Sequence, residues 1–209
     1  MQVIEKYFPN LDSEQRQKLS KLAPVYQNWN VKVNLVSRKD IDYLNIRHLL
    51  HSMSIAKYFT FNPGTDILDI GTGGGFPGIP LAILFPSVNF HLVDSIGKKI
   101  KIVKNIAEEL DLPNVTAYQE RGEKIKYEFD FIASRSVTNL PRFFAWMREK
   151  IKKESIHEFP NGIIYLKGGE FGKELKQIPW QQKVYHLNER FEEPFFETKK
   201  LVYLYPPHK

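Results

Sequence analysis

The stretch LDIGTGGGFPG, residues Leu68 to Gly78, limits the possible folds of this chain more than any other. It holds five glycines and an aspartate in eleven residues, directly after a short apolar run. A glycine loop between a strand and a helix lets the backbone approach a ligand closely, and it usually receives a nucleotide. It also implies that the following sequence supplies further strands to pair with the first.

That expectation is met by the pattern downstream. DILDI (Asp66 to Ile70) reads as a strand, Pro77 to Phe85 as a helix, and NFHLVD (Asn89 to Asp94) as a second strand. Gly97 to Leu110 reads as a helix with Ile100, Val103, Ala107 and Leu110 inward. VTAYQ is a third strand, FDFIAS a fourth, Asn139 to Ile151 a helix, and GIIYLK (Gly162 to Lys167) a fifth strand. Strands interleaved with helices predict a mostly parallel sheet covered on both faces. KVYHL and KLVYLY have no helix between them and predict an antiparallel edge hairpin, making seven strands in all.

Residues 1–62 read as a helical extension ahead of a core at 63–209, within a single domain. Asp12 caps a predicted helix through Trp29, with Leu19, Leu22, Ala23, Tyr26 and Trp29 at helical spacing. Pro24 should kink or split it. A second helix is predicted over Asp40 to Tyr58. Ile46, Leu49, Leu50, Met53 and Ala56 form its apolar stripe, with Arg47, His48 and His51 on the opposite side.

Two fingerprints overlap in the glycine loop. Gly73, Gly75 and Gly78 fit the dinucleotide pattern, a weak signal alone. Asp69, Gly71, Gly73 and Gly75 instead fit the acidic-then-alternating-glycine loop of class I S-adenosylmethionine-dependent methyltransferases. A carboxylate at Asp69 would repel a pyrophosphate and attract a sulfonium or ammonium. At ~4 Å and an effective dielectric of ~20, one such pair is worth about 4 kcal/mol before desolvation. Asp94 ends the second strand, where an acid accepts bonds from ribose hydroxyls in either nucleotide class. No Gly-Lys-Ser/Thr closes the loop, which argues against a P-loop.

The order WNVKVNLVS, IRHLLHS, DIGTGGGFPGIPLAI, LVDSIGKKIKIVK, ASRSV and YLKGG resembles the bacterial small-subunit rRNA guanine-N7 methyltransferase family, RsmG or GidB. The resemblance runs from about Trp29 to Gly169. It implies a Rossmann-like class I methyltransferase fold with an N-terminal helical extension. It also implies methyl transfer from S-adenosyl-L-methionine to N7 of guanine 527 in 16S rRNA. The family's cofactor contacts map onto Gly71, Phe76, Gly122, Glu123 and Arg135. IRHLLHS departs from the family at His51, where many relatives carry an aspartate.

The absences agree with this chemistry. With no cysteine in the chain, attack on a pyrimidine carbon by a thiolate and iron–sulfur radical chemistry are both excluded. Amine methylation typically uses an Asn/Asp-Pro-Pro-aromatic loop, and Ser134-Arg135-Ser136-Val137 stands in its place. Guanine N7 has a free lone pair and no proton to lose, so alignment suffices and no catalytic base is assigned. Arg135 is expected to bind the methionine carboxylate or to position RNA.

The net charge of +6 fits a polyanionic partner, here 16S rRNA or the small ribosomal subunit, or else simply a basic enzyme. Candidate basic sets are Lys98, Lys99, Lys101 and Lys104; Arg47, His48 and His51 with Lys32, Arg38 and Lys39; and Arg142, Arg148, Lys150, Lys152 and Lys153. Arg47, His48, Lys98 and Lys167 are the expected RNA contacts. Phe76, Phe143 or Phe144 is an expected stacking partner for a splayed guanine. No metal site is expected. No apolar run approaches a membrane span, and no signal-peptide core opens the chain, so a cytoplasmic monomer is expected. A dinucleotide oxidoreductase and a non-catalytic RNA-binding protein remain the alternatives.

Overall fold

The computed structural model of the chain describes residues 1–33, 35–37, 40–135 and 137–207. The expectations for Arg38, Lys39 and Ser136 lie outside the described residues.

The chain opens with α1 (Gln2–Tyr7) and α2 (Ser13–Lys32). Asp12 caps α2 in a reciprocal box: its Oδ1 accepts from the Gln15 N–H at 2.8 Å, and the Gln15 side chain accepts from the Asp12 N–H at 3.1 Å. Pro24 does not split α2, so of the kink or split expected from the sequence the split does not occur. Leu19, Leu22, Val25 and Tyr26 are buried on either side of it, and this docking outweighs the local cost of a missing N–H.

The second helical segment is also continuous in outline, but its winding changes. Ile41–Tyr43 is a 3-10 turn, Asn45–Leu50 a π-helix, α3 (His51–Met53) a single α turn and Ser54–Lys57 a 3-10 turn. A π turn advances each residue by less than the about 100° of an α-helix. The predicted wheel therefore fails past Leu50. His51 is not on an open face; it is 5% exposed, packed edge-on against Phe195 at 5.3 Å between ring centroids.

β1 (Asp66–Ile70), α4 (Gly78–Leu84), β2 (Asn89–Asp94), α5 (Gly97–Glu109), β3 (Val115–Gln119), β4 (Phe131–Arg135), α6 (Leu140–Met147), β5 (Gly162–Gly168), α7 (Gly172–Leu175), β6 (Gln181–His186) and β7 (Lys199–Tyr205) follow. They form one seven-stranded sheet in the order β3-β2-β1-β4-β5-β7-β6. β1 to β5 are parallel, and β7 runs antiparallel to both β5 and β6. The hairpin thus lies at the sheet edge, with β7 against β5 and β6 outermost. FDFIAS starts pairing two residues late, because Phe129 bridges to Ile151 instead. That bridge draws the chain out of α6, which ends in a 3-10 turn at Arg148–Lys150.

The sheet separates two cores. On one side Ile67, Phe90 and Leu92 pack with Leu22 and Tyr26 of α2, Ile79 of α4 and Val103 of α5. On the other, Leu68, Val93 and Ile132 pack with Phe143 and Met147 of α6. Strand order reverses between β1 and β4, so their carboxyl ends, Ile70 and Arg135, flank the crevice where open α/β sheets bind ligands.

Candidate active site

The glycine loop leaves β1 with Gly71, Gly73 and Gly75 all at positive φ. At Gly71 the requirement is double. Its φ is +70°, and a Cβ there would come within 2.3 Å of Cγ2 of Val137 in the loop after β4. Asp69 supports the turn from beneath. It is wholly buried, and its Oδ2 accepts from Thr72 Oγ1 at 2.6 Å and from the Gly78 N–H at 2.8 Å. Its Oδ1 has no hydrogen-bond partner among the described residues. Burial raises the Asp69 pKa to about 7, despite these two bonds and the nearby Arg135 guanidinium.

Asp94 ends β2 beside this loop, as its place in NFHLVD predicts. Its Oδ2 accepts from the Gly73 N–H at 3.0 Å and its Oδ1 from the Ile96 N–H at 2.9 Å. Each oxygen keeps capacity for a second donor. Asp94 lines a cleft of about 340 Å³ together with Gly71, Glu120, Arg121, Gly122, Glu123, Val137 and Trp146. Three carboxylates therefore face one guanidinium on its walls. This revises the argument from Asp69: the charge that disfavours a pyrophosphate is that of Asp94, Glu120 and Glu123, while Asp69 lines neither cavity described here.

Across the strand-order switch lies a second cavity of about 560 Å³, lined by Asp40, Arg47, His48, His51, Arg135, Gly168, Phe195 and Lys199. Arg135 is half-buried and donates from Nη1 to the Arg47 carbonyl at 3.1 Å. Its Nη2 lies 2.8 Å from His48 Nδ1. A guanidinium only donates, so Nδ1 accepts and the His48 proton sits on Nε2. Burial, and then the charge of Arg135, push the His48 pKa down to about 3. His51 is likewise held far below the usual histidine range, by burial first and then by Arg135 and Lys199. Burial lowers the Arg135 pKa to about 10, which leaves it cationic at neutral pH.

The structure brings some expected residues together and separates others. Gly71, Asp94, Gly122 and Glu123 share the acidic cleft, and Arg47, His48 and Arg135 share the basic cavity. Phe76 is 3% exposed, stacked on Tyr26 at 4.7 Å and tilted against His48 at 5.1 Å. Phe143 and Phe144, at 0% and 4% exposed, pack into the core from α6, with Phe143 also at the wall of the acidic cleft. None of the three aromatics offers an open face to a base. Lys98 is exposed on the first turn of α5 and lines neither cavity. Lys167 is held by both oxygens of Glu174, at 2.9 and 2.8 Å. The third basic set disperses: Lys152 bridges Asp66 at 2.7 Å and Asp130 at 3.0 Å, while Arg142 lies over Trp146 at 4.8 Å.

Sequence reasoning missed Tyr26, Val137, Phe195 and Lys199. Tyr26 carried a signal, since a hydroxyl on an apolar stripe needs a partner; it donates to the Gly74 carbonyl at 2.6 Å. Val137 follows Arg135 by two residues in the loop after β4, whereas Phe195 and Lys199 reach the site by tertiary contact alone.

A family model described as rRNA small subunit methyltransferase G matches residues 15–196. The chain belongs to that family. Ribosomal RNA small subunit methyltransferase G of Flavobacterium johnsoniae is 55% identical over 204 residues, covering 98% of this chain and 97% of that protein. The protein of the same name from Phocaeicola vulgatus is 50% identical, covering 98% of each. In fold, the chain is similar to an S-adenosylmethionine-dependent methyltransferase of Aquifex aeolicus, with a TM-score of 0.58 at 16% identity, covering 81% of this chain and 98% of that one. This rRNA small subunit methyltransferase G family member thus has the Rossmann-like sheet of class I methyltransferases, with helices on both faces. No helix among its described residues is long and apolar enough to cross a membrane.

Proposed function

We propose that the protein transfers a methyl group from S-adenosyl-L-methionine to N7 of guanine 527 in 16S rRNA. The observation that carries this reading is the pairing of two cavities of opposite charge across the β1/β4 switch point.

The acidic cleft fits the methyl donor. Asp94, with unused acceptor capacity on both oxygens, would take ribose hydroxyls. Gly71, Gly122 and Glu123 on the cleft wall would hold the remainder, with Gly73 and Gly75 shaping the loop. The bound donor supplies an electrophilic methyl group on a sulfonium, which net negative walls favour and a pyrophosphate would not share. That contrast argues against a dinucleotide oxidoreductase, and a built donor cleft argues against a purely RNA-binding role.

The basic cavity suits the acceptor strand. Arg47 and Arg135 are cations there, and His48 presents a neutral ring whose Nε2–H can donate to a base edge. N7 needs no deprotonation, so neutral histidines that cannot take up a proton near pH 7 are no handicap. What the residues supply is alignment. Asp69 fixes the loop, and Phe76 fixes His48 through ring packing. In this reading residues 1–62 and 63–209 work as one domain, because the extension supplies Arg47 and His48 to the core's Arg135.

The test is transfer of labelled methyl groups to 16S rRNA from cells lacking this modification, followed by digestion to nucleosides. Label in 7-methylguanosine is expected. Label in another nucleoside, or none, overturns the reading.

A further inference from the structure

The basic cavity holds more positive charge than its own carboxylate matches. Arg47, Arg135 and Lys199 line it against Asp40 alone, and His48 and His51 are held neutral. Asp40 is matched to Arg47 at 2.6 Å. Arg135 donates to the Arg47 carbonyl and to His48.

Lys199 has no ion pair among the described residues, unlike the lysines around it. Lys200 binds Glu170 at 3.0 Å and Lys167 binds Glu174 at 2.8 Å. The Lys199 ammonium instead sits 4.8 Å from the centre of the Phe195 ring. Phe195 in turn packs edge-on against the buried His51. Lys199 also pairs in register with Gly168, the last residue of β5, and a Cβ at Gly168 would lie 3.0 Å from its Nζ. The side chain is therefore laid across a glycine and propped on a ring, at the same end of the sheet as Arg135. Its charge is held at the cavity with no internal counter-ion. Cation–π support of this kind fixes position without neutralising charge.

We propose that Lys199 grips a phosphodiester of the RNA strand that carries the target guanine, holding that strand in the basic cavity. A phosphodiester supplies the missing anion at every nucleotide, whereas a base supplies none. Lys199 opens β7, the last strand of the chain. The assignment rests on the rRNA methyl-transfer reading.

The test uses the full-length protein, Lys199→Met, Lys199→Gln and Lys199→Arg, with transcribed 16S rRNA. RNA affinity is measured against KCl concentration, together with KM for RNA, kcat and S-adenosylhomocysteine affinity. Lys199→Met and Lys199→Gln should bind RNA several-fold more weakly, with the log–log salt slope shallower by about 0.7–0.9. KM for RNA should rise, with kcat and S-adenosylhomocysteine affinity unchanged, and Lys199→Arg should restore the slope. A wild-type slope in both neutral variants, or a change confined to cofactor affinity, overturns the assignment even where the wild type methylates normally. A wild-type protein that transfers no methyl group to the RNA overturns the reading beneath it instead.

Discussion

Nη2 of Arg135 lies 2.8 Å from Nδ1 of His48, tying the carboxyl end of β4 to the π-wound turn of the helical extension. The bond fixes the tautomer of His48 and holds a guanidinium beside the strand-order switch. It also makes the extension part of the site rather than an accessory to it.

Breaking that bond should be costly in a recognisable way. His48→Ala leaves a half-buried guanidinium short of an acceptor, and a lost hydrogen bond to a charged group is worth about 1.5–3 kcal/mol. Urea unfolding should show a loss in that range. Methyl transfer should fall in kcat, while S-adenosylhomocysteine affinity stays near wild type, because the proposed donor site is the acidic cleft across the switch.

The same histidines give the stability a pH dependence. His48 has a folded pKa of about 3 against an ordinary value of 6.5, and His51 is lowered well below it too. Both stay neutral in the fold and protonate when it opens. The contribution of each is complete above pH 6.5 and is lost as pH falls below it, for His48 down towards about 3. Asp69 acts oppositely: with its pKa raised from 3.8 to about 7, it favours the fold at low pH and loses that contribution as pH rises between those values. Replacing His48 by Gln should flatten the acid-side loss by up to about 1.4 kcal/mol per pH unit. Chemical denaturation at a series of pH values measures the slope, and an unchanged slope would remove His48 as a contributor.

Gly71→Ala meets two separable obstacles, the positive φ and the contact with Val137. Strain of that kind costs of order 1–3 kcal/mol. The variant should lose affinity for S-adenosylhomocysteine and melt earlier. Adding Val137→Ala should recover the steric part only. Calorimetric titration of the single and double variants separates the two.

Much of the glycine loop and the acidic cleft could be read from the sequence. β1, its glycine loop and Asp94 are adjacent in the chain or one crossover apart, and each carries a local signature: a period of two, glycines for positive φ, an acid at a strand end. The basic cavity could not. His51 moved from an open face to a buried one because a π turn breaks the α-helical wheel, and nothing local announces such a turn. Lys152 read as one of a basic cluster, but it is pinned by Asp66 at the start of β1 and Asp130 just before β4. Phe195 and Lys199 reach the cavity only because β7 returns antiparallel beside β5.

Lys152 and Lys98 should accordingly behave as opposites. Lys152→Met leaves Asp130, which is 3% exposed, without its cation. A loss of about 1–3 kcal/mol is expected in urea, discounted for the partial exposure of the lysine. Its RNA salt slope should match wild type. Lys98→Met should leave stability within about 0.5 kcal/mol of wild type, because its side chain is exposed and buries no partner.

Asp94→Ala should weaken S-adenosylhomocysteine binding at least tenfold, since it removes the proposed acceptor for ribose hydroxyls together with the acceptor for the Gly73 and Ile96 N–H groups. RNA affinity should not change. Asp94→Asn, which keeps one acceptor oxygen, should fall between the two; equal affinity in all three proteins would take Asp94 out of the donor site.

The most direct measurement is the position of the methyl group on the RNA. 16S rRNA lacking the modification is incubated with the protein and S-adenosylmethionine, reduced with borohydride and cleaved with aniline, which breaks the chain at 7-methylguanosine. The cut is then mapped by primer extension. Cleavage at guanine 527, dependent on the protein and on the methyl donor, is the predicted result. An intact chain at that position, in RNA that has nonetheless taken up methyl groups, would contradict it.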